Sequence, residues 1–176
     1  MTAPFAIRDA TPDDAAGIAA IYNDAVRNTT AILMEGEVDA ANRIAWMQMR
    51  GQLGYPVLVA AEGAAVLGYA SFGDWRPFDG FRATVENSVY VAPEARGRGV
   101  ALALLQVLAD RARACGKHEM VAAITSENTA SLHLHARAGF VETGRMPEVG
   151  QKFGRWLDLV FMQHRLDDRA APPPAP

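Results

Sequence analysis

Between Val89 and Ala101 the chain reads Val-Tyr-Val-Ala-Pro-Glu-Ala-Arg-Gly-Arg-Gly-Val-Ala. A strand-like run stops at Pro93, passes through two arginines and two glycines, and opens directly into a helix. That helix spans Gly99 to Cys115, with Ala101, Leu104, Leu105, Leu108 and Ala112 on one apolar face. A strand feeding a glycine-rich loop and a helix start commits the chain to a layered α/β arrangement. Backbone N–H groups at such a helix start, with no Cβ at Gly97 or Gly99, form a cradle for a phosphate or pyrophosphate. Arg96 and Arg98 add positive charge there. The alternative is a glycine-rich connection with two solvated arginines. A dinucleotide fingerprint needs a third glycine where Leu102 stands, and the Gly-Lys-Ser/Thr of a nucleotide P-loop is absent.

The rest of the chain alternates in the same way. Strands are expected at Phe5 to Arg8, Val57 to Ala61, Val66 to Phe72, Thr84 to Val91, Met120 to Thr125, near Val141, and from Trp156 to Gln163. A helix starts at Thr11-Pro12-Asp13-Asp14, buries Ile18, Ile21, Tyr22, Ala25 and Val26, and breaks at Asn28-Thr29-Thr30. A second runs from Asp39 to Arg50 and ends at Gly51, and a last one from Asn128 to Ala138 stops at Gly139. At 176 residues this is one domain, expected over residues 1–166, with a disordered Ala/Pro-rich tail over 167–176.

Charge and composition then remove classes of function. Lys and Arg number 17 against 20 Asp and Glu, a net charge of -3, so a surface that tracks polyanionic nucleic acid is not expected. One cysteine, Cys115, permits no intramolecular disulfide and no cysteine-based zinc site. His133 and His135 lie about 200° apart around a helix and do not chelate, so no metal is expected. Met1-Thr2-Ala3-Pro4-Phe5 lacks the basic start and apolar run of a signal peptide, and no stretch approaches the roughly 18 apolar residues of a membrane span. A cytoplasmic protein without membrane attachment is the expectation.

Arg96-x-x-Gly99-x-Ala101 resembles the pyrophosphate-binding signature, Arg/Gln-x-x-Gly-x-Gly/Ala, of the GNAT superfamily of N-acetyltransferases. Asn128-x-x-Ser131 ahead of Gly139-Phe140 resembles the later motif of that family. The resemblance runs from the first strand to about Leu166. Three further segments narrow it: Trp75-Arg76-Pro77, Thr84 to Val91, and Val149 to Asp158. Together they are similar to the phosphinothricin and methionine sulfoximine N-acetyltransferases, whose substrates are glutamate-like α-amino acids. The resemblance implies a central mixed, mostly antiparallel twisted sheet of about six to seven strands flanked by about four helices. It also implies acetyl-CoA as cofactor, a small amino acid as substrate, and a homodimer.

The residues that would carry the chemistry follow. An α-ammonium must lose a proton before it attacks, and Glu86, mid-strand on one face with Thr84, Ser88 and Tyr90, is the candidate base. The alternative is a carboxylate paired structurally with a nearby arginine. The resemblance implies that this strand splays from the one at Met120, with the pantetheine arm along Val89, Tyr90 and Val91. The pyrophosphate would meet Arg96, Gly97, Arg98, Gly99, Val100, Ala101 and Leu102, with Asn128 and Ser131 completing the cofactor site. His135 stands where many relatives place a tyrosine, and is either a proton donor to the leaving thiolate or a half-exposed helix residue. Arg76 or Arg82 would clamp the substrate carboxylate. Trp75, Pro77, Phe78, Asn87 and Ser88 would line the substrate pocket, with Phe81 either a further wall or ordinary loop packing, joined by Lys152 and Trp156, from a segment that in the family often crosses a subunit boundary. The loop Asn28 to Val38 is either a lid or a dimer contact. Cys115 reads as an inert thiol.

Overall fold

A computed structural model describes residues 5–172. The elements run β1 (Ala6–Asp9), α1 (Ala15–Asn28), α2 (Ala40–Gln52), β2 (Val57–Glu62), β3 (Ala65–Asp74), β4 (Thr84–Val91), α3 (Val100–Ala114), β5 (Glu119–Thr125), α4 (Thr129–Arg137), β6 (Val141–Lys152) and β7 (Arg155–Arg165). The strands form one seven-stranded sheet in the order β1-β2-β3-β4-β5-β7-β6, antiparallel except for β4 with β5.

The helix starts follow local chemistry. Thr11 does not cap with its own side chain. Instead its N–H donates to Asp14 Oδ2 at 2.7 Å, and Arg8 closes on the same carboxylate with two bonds of 2.7 and 2.8 Å. A short 3₁₀ turn over Pro12–Asp14 therefore precedes α1. Asp39 caps α2 by accepting from Asn42 N, and the helix continues through Gly51 to Gln52, past its expected end. Asn128 caps α4 by accepting from Ser131 N.

Strand alternation sends neighbouring residues to opposite layers. On β3, Tyr69 packs against Trp46 of α2 and Tyr90 of β4, while a Cβ at Gly68 would meet Val100 of α3. Thus α1 and α2 cover one sheet face and α3 and α4 the other. Leu58, Val59, Val85, Leu104, Leu108, Met120 and Val160 are fully buried between them.

The far edge departs from the sequence expectation. The strand expected near Val141 runs twelve residues and pairs with β7 through two irregularities, at Glu142/Gly144 and Met146/Gly150. It lacks an apolar period because most of its residues are exposed. Phe153 and Gly154 both sit at positive φ (52° and 71°), the paired left-handed geometry of a tight hairpin turn. Nor is the chain loose from residue 167. His118 Nδ1 bonds Asp167 at 2.8 Å, and Arg169 donates to the Gly116 carbonyl at 2.9 Å, so the tail begins later than expected. Residues 173–176 of the expected tail lie outside the described residues.

Candidate active site

β4 and β5 pair over only three residues, Thr84–Glu86 against Glu119–Val121, yet β4 continues to Val91 and β5 to Thr125. The strands splay beyond Glu86. Asn87 wedges the apex: its Nδ2 donates to Val121 O at 3.0 Å and its Oδ1 faces His135 Nε2 at 3.1 Å. Past that wedge the edge of β4 facing β5 has no strand partner, and a cleft of about 990 Å³ opens between the strand ends. Every residue expected to hold the cofactor lines this cleft except Arg98.

Gly97 and Gly99 adopt φ of 77° and 81°. Nothing lies within 4 Å of a Cβ at either position, so left-handed backbone, not crowding, requires glycine there. Gly99 precedes the first turn of α3, whose leading N–H groups have no intrahelical acceptor and face the cleft wall. Arg96 borders the cleft and pairs with Asp24 of α1 at 3.2 Å. Arg98 turns away to Glu62 of β2 at 3.0 Å, which corrects its expected place beside a pyrophosphate.

On the α1/α2 face of β4 the side chains run Thr84, Glu86, Ser88, Tyr90. Glu86 has Gly73 and Val121 as its Cα partners. Its carboxyl makes no hydrogen bond or ion pair among the described residues. Burial pushes it above the usual carboxylate range, and the Arg76 guanidinium partly offsets this. Arg76 is stacked over Trp75 at 4.3 Å. Trp75 in turn meets Phe161 edge-on at 5.7 Å, and both wall a second cavity of about 310 Å³ with Phe81, Thr84, Val121, Thr143 and Gln163. Glu86 itself lines neither space, nor does Arg76; along β4 it lies between Ser88, which borders the large cleft, and Thr84, which borders the small cavity.

Several expected site residues lie elsewhere. Pro77 and Phe78 are exposed and line neither space; of the three aromatics expected as walls, Trp75 and Phe81 border the small cavity. Arg82 bends back to the Asp79 carbonyl at 3.0 Å, and its own carbonyl receives Lys117 Nζ at 2.7 Å, so it does not face Glu86. Asn87 points to the α4 side, opposite Glu86, because it is one residue along the strand. Lys152 is 3 % exposed and donates to the Thr29 carbonyl at 2.8 Å and to that of Ile32. It pins the 29–34 loop instead of meeting a substrate, and Leu33 packs against Gly150 beside it. Trp156 is 66 % exposed and lines neither space, although its neighbour Arg155 borders the large cleft.

His135 is buried, not half-exposed. Its Nδ1 lies 2.8 Å from Ser131 O and its Nε2 faces Asn87 Oδ1 at 3.1 Å; both partners are acceptors, so the neutral ring donates to one of them. Burial lowers its pKa and the Ser131 carbonyl opposes that shift. The residues sequence reading missed, Phe161, Gln163 and Thr143, sit on β7 and β6. Only the strand register brings them level with Glu86 and Val121.

Comparison with known proteins agrees with this geometry. Residues 18–140 match the acetyltransferase (GNAT) family. The chain is 63% identical over 168 residues to the L-methionine sulfoximine/L-methionine sulfone acetyltransferase of Pseudomonas paraeruginosa, covering 94% of this chain and 98% of that protein. It is 60% identical to the L-amino acid N-acyltransferase MnaT of Escherichia coli, covering 96% and 98%. The solved structure of a Salmonella typhimurium acetyltransferase with its cofactor acetyl-CoA superposes with a TM-score of 0.95 at 56% identity, covering 98% of this chain and 99% of that one. With the splayed strands and the glycine cradle in place, the chain belongs to the acetyltransferase (GNAT) family.

Proposed function

We propose that this protein transfers the acetyl group of acetyl-CoA to the α-amino group of L-methionine sulfoximine, L-methionine sulfone and related small L-amino acids. The observation that carries the reading is the position of Glu86, an unpaired, half-buried carboxyl between a donor-sized cleft and an acceptor-sized cavity. The relatives' substrates supply the chemical class.

The cleft suits acetyl-CoA, which when bound supplies an activated acetyl thioester. The free edge of β4 at Val89 and Val91 offers backbone hydrogen bonds to a pantetheine arm. The positive-φ glycines, the start of α3 and Arg96 suit a pyrophosphate. Asn128 and Ser131 wall the cleft from α4. Glu86 takes the proton from the substrate ammonium, directly or through water, and burial makes its carboxylate a stronger base. Arg76, close enough to act on Glu86 and held flat on Trp75, receives the substrate carboxylate. His135, buried with its Nε2 against Asn87 Oδ1, keeps Asn87 in the splay as a positioning residue.

Two coarser properties complete the proposal. Met34, Val149, Phe153 and Trp156 are exposed around the β6–β7 hairpin and the loop it pins, and this apolar surface suits a second copy of the chain. Light scattering with Trp156→Lys tests the dimer: the variant should elute as a monomer. Among the described residues no helix is long and apolar enough to cross a membrane. The free, exposed Cys115 fits a reducing compartment, so we place the enzyme in the cytoplasm.

The test of the activity is thiol release from acetyl-CoA over a panel of amines. Methionine sulfone and methionine sulfoximine should turn over far above polyamines and peptide N-termini. A flat profile, or release only with peptides, overturns the substrate class.

A further inference from the structure

The small cavity has a polar side that base and carboxylate binding leave unexplained. Three aromatic rings, Trp75, Phe81 and Phe161, wall it, and three polar side chains, Thr84, Thr143 and Gln163, face them. Gln163 sits on β7 directly across from Val121, the β5 partner of Glu86. Its side-chain amide has no hydrogen-bond partner among the described residues. The same holds for the Thr84 hydroxyl and the Trp75 indole N–H, while Thr143 makes one long contact, 3.3 Å, to the Phe161 carbonyl. These side chains are half-buried or exposed, so their polar groups open on the cavity and are available to a ligand there.

We propose that this cavity is the side-chain specificity pocket of the acceptor, and that Gln163 reads a neutral polar head group such as a sulfone or sulfoximine. The proposal rests on the acceptor reading above and adds the residues that choose among amino acids. An amide offers two N–H donors and no charge, which matches the neutral oxygens and nitrogen of those groups. The three rings suit the methyl and methylene carbons on either side. An anionic head, such as a phosphinate, would demand a cation at the same place. The charged groups nearby are already committed: Arg76 lies over Trp75 beside Glu86, and Arg165, two residues along β7, is bound to Glu119 at 3.1 Å. The pocket therefore favours neutral over anionic side-chain heads.

Gln163→Leu and Gln163→Lys test this against three acceptors: L-methionine sulfone, L-norleucine and phosphinothricin. Acetyl-CoA binding, measured by calorimetry, reports whether each variant is folded. One lost hydrogen bond should lower kcat/KM of Gln163→Leu for methionine sulfone about tenfold and leave norleucine within about twofold. Gln163→Lys should raise the phosphinothricin-to-sulfone ratio about tenfold. A Gln163→Leu variant that binds acetyl-CoA normally, yet loses both neutral acceptors equally or neither, overturns the role of Gln163. If the wild-type protein binds acetyl-CoA but acetylates none of the three, the acceptor reading itself fails and this pocket assignment falls with it.

Discussion

Replacing Glu86 with glutamine keeps the shape of the side chain and removes its ability to accept a proton. The size of the effect follows from what else could take over. Asp24 and Glu127 are the carboxylates that border the cleft among the described residues, and each is ion-paired, to Arg96 at 3.2 Å and to Arg155 at 3.0 Å. Both are held by arginines, so no unpaired carboxylate borders the cleft to replace Glu86. A positioned general base contributes roughly 10²- to 10⁴-fold, and Glu86→Gln should lower kcat/KM by that amount, about 3–5 kcal/mol of transition-state stabilisation. Stability should move the other way. Burial raises the folded-state pKa of Glu86 above its unfolded value, so the folded protein binds this proton more tightly. As pH rises through the window between the two values, the wild type loses that contribution, and at pH 7 a buried carboxylate is a net cost. Glu86→Gln should therefore melt at or above the wild-type temperature at pH 7, with the gap closing as pH falls toward the ordinary carboxyl range. Thiol release and thermal melts from pH 4 to 8 measure both. Wild-type activity with a lowered melting temperature would refute the argument, since it would mark Glu86 as a structural ion-pair partner.

Other outcomes follow from the same geometry. Arg76→Ala should raise KM for the amino acid about tenfold while Arg82→Ala leaves it within twofold, because only Arg76 is electrostatically coupled to Glu86; equal effects would contradict the assignment. Lys152→Met leaves the Thr29 and Ile32 carbonyls without their donor and should cost roughly 2–3 kcal/mol in urea unfolding, with faster proteolysis at the 29–34 loop. Arg8 holds the Asp14 carboxyl below its ordinary value, so that pairing stabilises the fold above the unfolded pKa and is lost as pH falls through the folded one. Asp14→Asn should accordingly be roughly 1–2 kcal/mol less stable at pH 7, and the difference should shrink below pH ~4.

Much of the donor cleft was legible in the sequence because its determinants are contiguous. One stretch, Val89 to Leu102, holds the strand end, both left-handed glycines and the helix start, so local backbone preference and spacing suffice to place them. Glu86 was legible for the same reason: strand alternation alone puts it on a face with Ser88 and Tyr90. Alternation also puts Asn87 on the other face, and its neighbour's expected role should not have extended to it. The two arginines of the loop were not separable by sequence. Their direction depends on distant acids, Asp24 on α1 for Arg96 and Glu62 on β2 for Arg98.

The acceptor side belongs to the tertiary structure. Its cavity takes residues from β4, β5, β6 and β7 and the loop after β3, and no spacing along the chain brings Trp75 to Phe161 or Gln163 level with Glu86. Lys152 makes the same point: a lysine in a glycine-rich segment reads as a solvent or substrate group until the β6–β7 hairpin buries it under the Thr29–Ile32 carbonyls. By itself the sequence determined the order of elements, the glycine cradle and the face of β4 that carries Glu86, since each depends on neighbours a few residues apart. Only the folded sheet decided which charges face the cleft and what surrounds the acceptor, because those contacts join residues that the chain keeps far apart until its strands pair.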